Sequence, residues 1–227
     1  MSVKPLPLTV ALVAGLGLAA CSSGRPDVTS LGVARALVAP KSAPAVQDPA
    51  QVAASVSEAL TVLEGPLALA TFEKTQNNVV LRQIETNGAY RTWTSWGSGE
   101  RRSITTLNGT ITATRGLRND LMSSDVSQSL ALISARQSGS ANRVQRYLDG
   151  ENLIVEMRAS CTITRGDATR VQVGEIDRAA VQMIERCQTN DGENFSNIYN
   201  VDGSGRVLQS VQWLNDFYGV TVVQQLR

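Results

Sequence analysis

The 227-residue chain contains no histidine. Ser-His-Asp and Cys-His nucleophile mechanisms are therefore excluded, together with most zinc sites. Aromatic residues make up only 4% of the sequence, so any surface that stacks on a ligand has few rings to draw on. After Cys21 no apolar run approaches the ~20 residues that a membrane-spanning helix needs. Charge excess is missing as well. The sequence has 21 Lys and Arg against 20 Asp and Glu, and Lys4 is the only charge before Cys21, so the chain from Cys21 onward is neutral. That balance argues against nucleic acid as a partner.

What is present begins at the N-terminus. Lys4 precedes an apolar stretch that runs to Leu18, and Ala19 and Ala20 follow it. This is the pattern of a secretory signal peptide over residues 1–20. The ending Leu18-Ala19-Ala20-Cys21 resembles the lipobox of bacterial lipoproteins. Cleavage before Cys21, with diacylglycerol and an N-acyl chain on that residue, gives stable anchoring where one acyl chain does not. Ser22, rather than Asp, follows the cysteine, which in enteric bacteria resembles an outer-membrane sorting choice. Residues 21–48, rich in Ser, Ala, Pro and Val, read as a tether. Residues 49–227 read as one domain.

Two cysteines remain, Cys161 and Cys187. In an exported protein the default reading is a disulfide; a pair of free buried thiols is the alternative. Two thiolates without histidine are too few for a metal site, so none is expected.

Asp48-Pro49 predicts a helix start, with Val52, Val56, Leu60 and Leu63 on one face and Gly65 as a stop. From Leu67 onward the period is two, and Asn108-Gly109 and Asp149-Gly150 read as hairpin turns. A second helix is expected through Met122, Val126, Leu130 and Ile133, capped by Ser124 or Asp125. Residues 151–164 form the clearest strand: Leu153, Val155, Met157, Ala159, Cys161 and Ile163 share one face, and the other is polar apart from Ile154. About ten strands with one or two short helices imply a mainly β protein, an antiparallel barrel-like or strongly curved sheet.

Chemistry is sparse. Gly97-x-Gly99 and Gly203-x-Gly205 fall between strands and read as turn glycines. The carboxylate pairs Asp149 with Glu151 and Asp120 with Asp125 have the residue types for glycoside hydrolysis, but turn and cap roles explain Asp149 and Asp125 better. Trp93, Arg115, Tyr147, Tyr199 and Trp213 form a candidate ligand surface, with core packing as the commoner use of such rings. No catalytic residue and no cofactor is expected.

Several segments resemble one family. They are Ala113-Thr114-Arg115-Gly116-Leu117 with Asp120-Leu121-Met122, Tyr147-Leu148-Asp149-Gly150-Glu151, Cys161 and Cys187, Asn197-Ile198-Tyr199 before Asp202-Gly203, and Gln209-Ser210-Val211-Gln212-Trp213. In this order, over residues 52–227, the chain is similar to the YjbF-type, or group 4 capsule polysaccharide, lipoproteins of Gram-negative bacteria. The resemblance implies a largely antiparallel β-barrel-like domain and a place in capsule or exopolysaccharide production and export. It carries no catalytic residues. The resulting expectation is a non-enzymatic lipoprotein anchored in the cell envelope, at the outer membrane and facing the periplasm. Its expected partners are the membrane, polysaccharide and envelope export proteins. Two competitors are a barrel carrying an apolar, lipid-like ligand and a polysaccharide-modifying enzyme.

Overall fold

Alternation in the sequence becomes geometry in the strand Ile154–Val173, where Ala159, Cys161 and Ile163 are buried and Ser160, Thr162 and Thr164 are exposed. The computed structural model describes residues 47–97 and 101–227. The expected signal peptide, Cys21 and most of the tether lie outside the described residues.

The helix α1 spans Pro49–Val62. The strands β1 (Leu67–Phe72), β2 (Asn77–Asn87), β3 (Tyr90–Ser95), β4 (Ser103–Leu107), β5 (Thr110–Arg115) and β6 (Leu121–Asp125) follow. The helix α2 (Ser127–Ala135) precedes β7 (Gly139–Leu148), β8 (Ile154–Val173), β9 (Ile176–Thr189), β10 (Asn194–Asp202), β11 (Val207–Asn215) and β12 (Gly219–Gln225). All twelve strands belong to one sheet, in the order β5-β4-β3-β2-β1-β12-β11-β10-β9-β8-β7-β6, and every pairing is antiparallel. The sheet is a nearly closed barrel, so the expected fold class holds with twelve strands rather than about ten.

The two edge strands, β5 and β6, are consecutive in sequence and meet through side chains rather than a backbone ladder. Leu121 N–H donates to Thr114 Oγ1 at 2.9 Å, and Arg115 Nη1 donates to the Leu121 carbonyl at 3.2 Å. Asp120 fastens the connecting loop by accepting from Thr114 Oγ1 and from the N–H groups of Gly116 and Leu117. A barrel so closed leaves little free edge for another strand.

One half of the interior is filled by Phe72, Trp93, Ile104, Leu121, Leu214 and Tyr218. The other half holds the inward side chains of β7–β10, with Ile133 of α2 packed among them. The C-terminal part of α2 is pinned across one end of the barrel. There Asn108 Nδ2 donates to Ser134 Oγ and to the Gly205 carbonyl, and Arg136 Nη1 donates to the Asp202 carbonyl. On the outside, α1 lays Val52, Val56, Ala59 and Leu60 against Leu67, Leu69 and Val80. β1 is therefore covered on both faces, which explains its nearly continuous apolar sequence.

Local signals were mostly obeyed. Asp48 caps α1 by accepting from Ala50 N–H, with Pro49 in the first turn. Asn108 and Gly109 both take positive φ, 43° and 76°, as a two-residue type I′ turn requires. A Cβ on Gly109 would sit 2.8 Å from Val207, so the turn's close approach to β11 also demands glycine.

Three expectations need correction. The second helix begins only at Ser127, because residues 121–125 pair with β7 as a strand and Met122 lies in that strand. The strand expected over 151–164 runs on from Ile154 to Val173 as one long strand, interrupted by a register shift between Arg165 and Ala168. The Asp149-Gly150 hairpin takes five residues, 149–153, because Asp149 Oδ1 accepts from both Glu151 and Leu153 N–H. Leu153 is consequently 60% exposed rather than on the buried face, and Val155, expected on the same face, is 51% exposed where β9 does not run beside β8.

Candidate functional site

Among the five residues expected to form a ligand surface, two are core residues. Trp93 is 3% exposed, with its indole N–H donating to Thr106 Oγ1 at 3.0 Å, and Tyr199 is fully buried. Arg115 clamps the barrel seam. Only Tyr147 and Trp213 come together: their rings lie edge to face 6.2 Å apart, and Trp213 also stacks on Phe195 at 5.3 Å. Tyr147 Oη donates to the Leu214 carbonyl at 2.7 Å, and burial pushes its phenol up from the ordinary range. The pair works as packing between β7, β10 and β11.

Inside the barrel, β7, β9 and β10 place a charged group where apolar residues are the rule. Glu185 Oε2 accepts from Arg143 Nη1 at 2.5 Å, Asn197 Nδ2 at 2.8 Å and Tyr199 Oη at 3.0 Å. Burial pushes the Glu185 carboxyl up, but Arg143 and these hydrogen bonds outweigh it and hold the group below the usual carboxylate range. Burial and the neighbouring Glu185 charge push the Tyr199 phenol up. A carboxylate so enclosed is a structural counter-ion without a path to substrate. Three of the four acids in the two candidate pairs are also engaged: half-buried Asp120 and Asp149 fix loops, and exposed Asp125 accepts from Ser127 N–H at the start of α2.

Cys161 and Cys187 stand directly opposite each other on β8 and β9 and are joined as a disulfide that closes a 26-residue separation. Its two strands carry the candidate site on their outer face. Two cross-strand rows run side by side there over β7–β10. The first is Ser140, Thr162, Arg186 and Ser196; the second is Asn142, Ser160, Gln188 and Asn194. All eight side chains are exposed, and together they line a trough of about 620 Å³. A second depression of about 430 Å³ adjoins it and shares Asn142, Ser160 and Gln188. Seven neutral hydroxyls and amides with one guanidinium, and no carboxylate, present hydrogen-bond donors and acceptors suited to a hydroxyl-rich polymer. None of the expected ligand residues lies in it. The sequence signal is the uncharged polar side chains at outward positions of β8, which by themselves mark only a wet face. A larger groove of about 740 Å³ runs between α1 and the outer side of β1–β3, past Gln51, Ser55, Leu69, Asn78 and Trp96.

Comparison with known proteins adds identity to this geometry. No curated protein matches the chain. The crystal structure of the hypothetical lipoprotein YmcC from Escherichia coli K12 superposes with a TM-score of 0.66 at 15% identity, covering 80% of this chain and 96% of that one. At that identity the likeness speaks for the fold. A family profile, "Group 4 capsule polysaccharide lipoprotein gfcB, YjbF", matches residues 36–226. The chain belongs to the group 4 capsule polysaccharide lipoprotein family.

Proposed function

We propose that this protein is a non-enzymatic envelope lipoprotein, acylated at Cys21, that assists secretion or assembly of a capsule or exopolysaccharide. In this reading the polymer meets the two-row polar trough of β7–β10. Family membership over residues 36–226 carries the process, and the neutral polar lining carries the choice of surface. Absence of histidine and the tied-up carboxylates support a binding role over catalysis. The barrel interior is occupied by two apolar clusters with a buried ion pair beside them, a poor host for a lipid chain. Sorting to the outer membrane, facing the periplasm, is part of the same proposal and follows from Ser22.

Deleting the gene under polysaccharide-producing conditions is expected to lower or alter the surface polymer. Restoring it with Asn142→Ala, Arg186→Ala and Gln188→Ala combined is expected to leave the defect in place while the protein accumulates normally. Unchanged polymer after deletion would remove the process from the proposal. Full rescue by the triple variant would remove the trough.

A further inference from the structure

Seven large apolar side chains are exposed among the described residues, and three of them are consecutive: Leu153, Ile154 and Val155, at 60%, 61% and 51%. They sit at the β7–β8 hairpin tip. β9 ends at Thr189, opposite Ala159, so residues 154–157 pair with β7 alone and project beyond the neighbouring strand. Phe217, a fourth exposed side chain, lies on the same rim of the barrel. Neighbour by neighbour, that rim is continuous. Leu148 N–H donates to the Asp120 carbonyl, Asn215 Nδ2 donates to the Arg118 and Asn119 carbonyls, and the Arg118 guanidinium lies 4.8 Å over the Phe217 ring. Lys74 in turn reaches the Asp216 carbonyl.

The chain also enters the domain at this rim. Gln47, the first described residue, accepts from Asn78 N–H beside the β1–β2 turn, and α1 then runs away toward the opposite end, where Arg227 meets Leu63. An anchor at Cys21, joined to the domain through residues 21–46, therefore tethers the rim that carries the apolar tip.

We propose that this rim docks on the lipid bilayer, with Leu153, Ile154, Val155 and Phe217 entering the headgroup boundary. The inference goes beyond the polysaccharide reading and rests only on its lipid anchor. A convex apolar tip suits a bilayer, which yields, better than a rigid protein groove. A second weak membrane signal next to an acylated terminus raises residence through effective concentration. Arg118 over Phe217 is placed to carry its charge to the headgroups along its aliphatic stem. Asp149, Glu151 and Asp216 on the same rim offset attraction to anionic lipid, so docking depends on apolar insertion more than on lipid charge.

The test uses the mature protein acylated at Cys21 in vesicles of phosphatidylethanolamine and phosphatidylglycerol, with brominated lipid as the fluorescence quencher. Ile154→Trp adds a reporter at the tip, and Val62→Trp adds one at an exposed apolar position on the opposite end. The expected result is at least threefold stronger quenching of the added fluorescence for Ile154→Trp, little changed by salt. Equal quenching of the two, or none for Ile154→Trp in an anchored protein, overturns the proposal. Concentration-dependent self-association that Ile154→Asp abolishes would assign the tip to a second copy instead. Mass measurement of the N-terminal fragment reports acylation separately, so absence of acyl chains identifies a failure of the anchor on which the inference rests.

Discussion

Arg143 and Glu185 face each other across the inward surfaces of β7 and β9, 2.5 Å apart, with side-chain exposures of 3% and 0%. Separating two buried charges is more costly than omitting both, because the survivor keeps its desolvation penalty. Glu185→Gln is therefore expected to destabilise the domain by about 3–5 kcal/mol. The double variant Arg143→Met/Glu185→Leu should recover most of that loss. Chemical denaturation of the three proteins measures both. A single variant no less stable than the double one would show that the pair is not held by mutual compensation.

Glu185 and Tyr199 of this cluster, together with Asp202 and Tyr147, shape the pH window. Glu185 and Asp202 both have folded-state pKa values below their ordinary ones, in each case against the opposing effect of burial. Arg143 and hydrogen bonds account for Glu185, and the Ser204 hydroxyl and backbone bonds account for Asp202. Depressed acids contribute stability that is complete above the unfolded pKa, near 4, and is lost as pH falls through the folded value. Tyr147 and Tyr199 are displaced upward, so their contribution is complete below about 10 and declines at higher pH. Thermal melts from pH 2 to 11 are expected to show a plateau between these limits. Glu185→Gln should flatten the acid limb and, by removing a charge that helps raise Tyr199, weaken the alkaline limb in part, leaving the contribution of Tyr147 in place.

Removing the disulfide offers a third measurement. Cys161 and Cys187 close 26 residues, for which the chain-entropy relation gives roughly 3–4 kcal/mol. Both sulfurs are buried against Ile163, Met183 and Phe195, so a Cys161→Ala/Cys187→Ala variant also loses some packing. A stability loss of about 3 kcal/mol with the strand register retained is the expected outcome. Because the trough lies on the outer face of the bridged strands, the polymer binding proposed for it should persist at temperatures where the variant remains folded. Amide exchange along β8 and β9 checks the register.

How far the sequence led depended on whether a local signal had a tertiary rival. Asp48-Pro49 and Asn108-Gly109 specify their own backbone geometry, and both appear as read. Alternation on β8 disclosed the buried and wet faces from Ala159 onward, because period two leaves no other choice once one face is covered; Leu153 and Val155 lie before that cover begins and are exposed. Met122 misled because its spacing from Val126 fits a helix, while pairing with β7 decides the matter from outside the segment. The aromatic residues misled for a related reason. A ring on a strand looks the same in sequence whether it faces a ligand or, like Tyr199, the barrel interior. The trough was hidden by its ordinariness: Ser160 and Thr162 acquire meaning only when Asn142, Gln188 and Asn194 arrive beside them from other strands. The Arg143–Glu185 pair was equally invisible, since nothing local marks a charged residue as buried.

Arg115 gives a direct test of how the barrel closes. Its Nη1 donates to the Thr114 and Leu121 carbonyls, and its Nη2 lies 3.5 Å from the Met122 carbonyl, so one side chain replaces the rungs missing between β5 and β6. A lysine keeps the charge but lacks the planar fork that reaches several carbonyls at once. Arg115→Ala is expected to cost about 1.5–3 kcal/mol, the range for hydrogen bonds to a charged group, and Arg115→Lys should recover only part of it. Packing of Leu121 in the barrel core should keep the strand folded at low temperature. The effect should therefore be local, with amide exchange rising at residues 121–123 before the rest of the sheet. If Arg115→Ala leaves both stability and exchange at the seam unchanged, the Leu121–Thr114 contact and the Asp120 loop hold the edges by themselves. A uniform rise across all strands would instead show that the barrel opens as one unit, with the seam no weaker than its ladders.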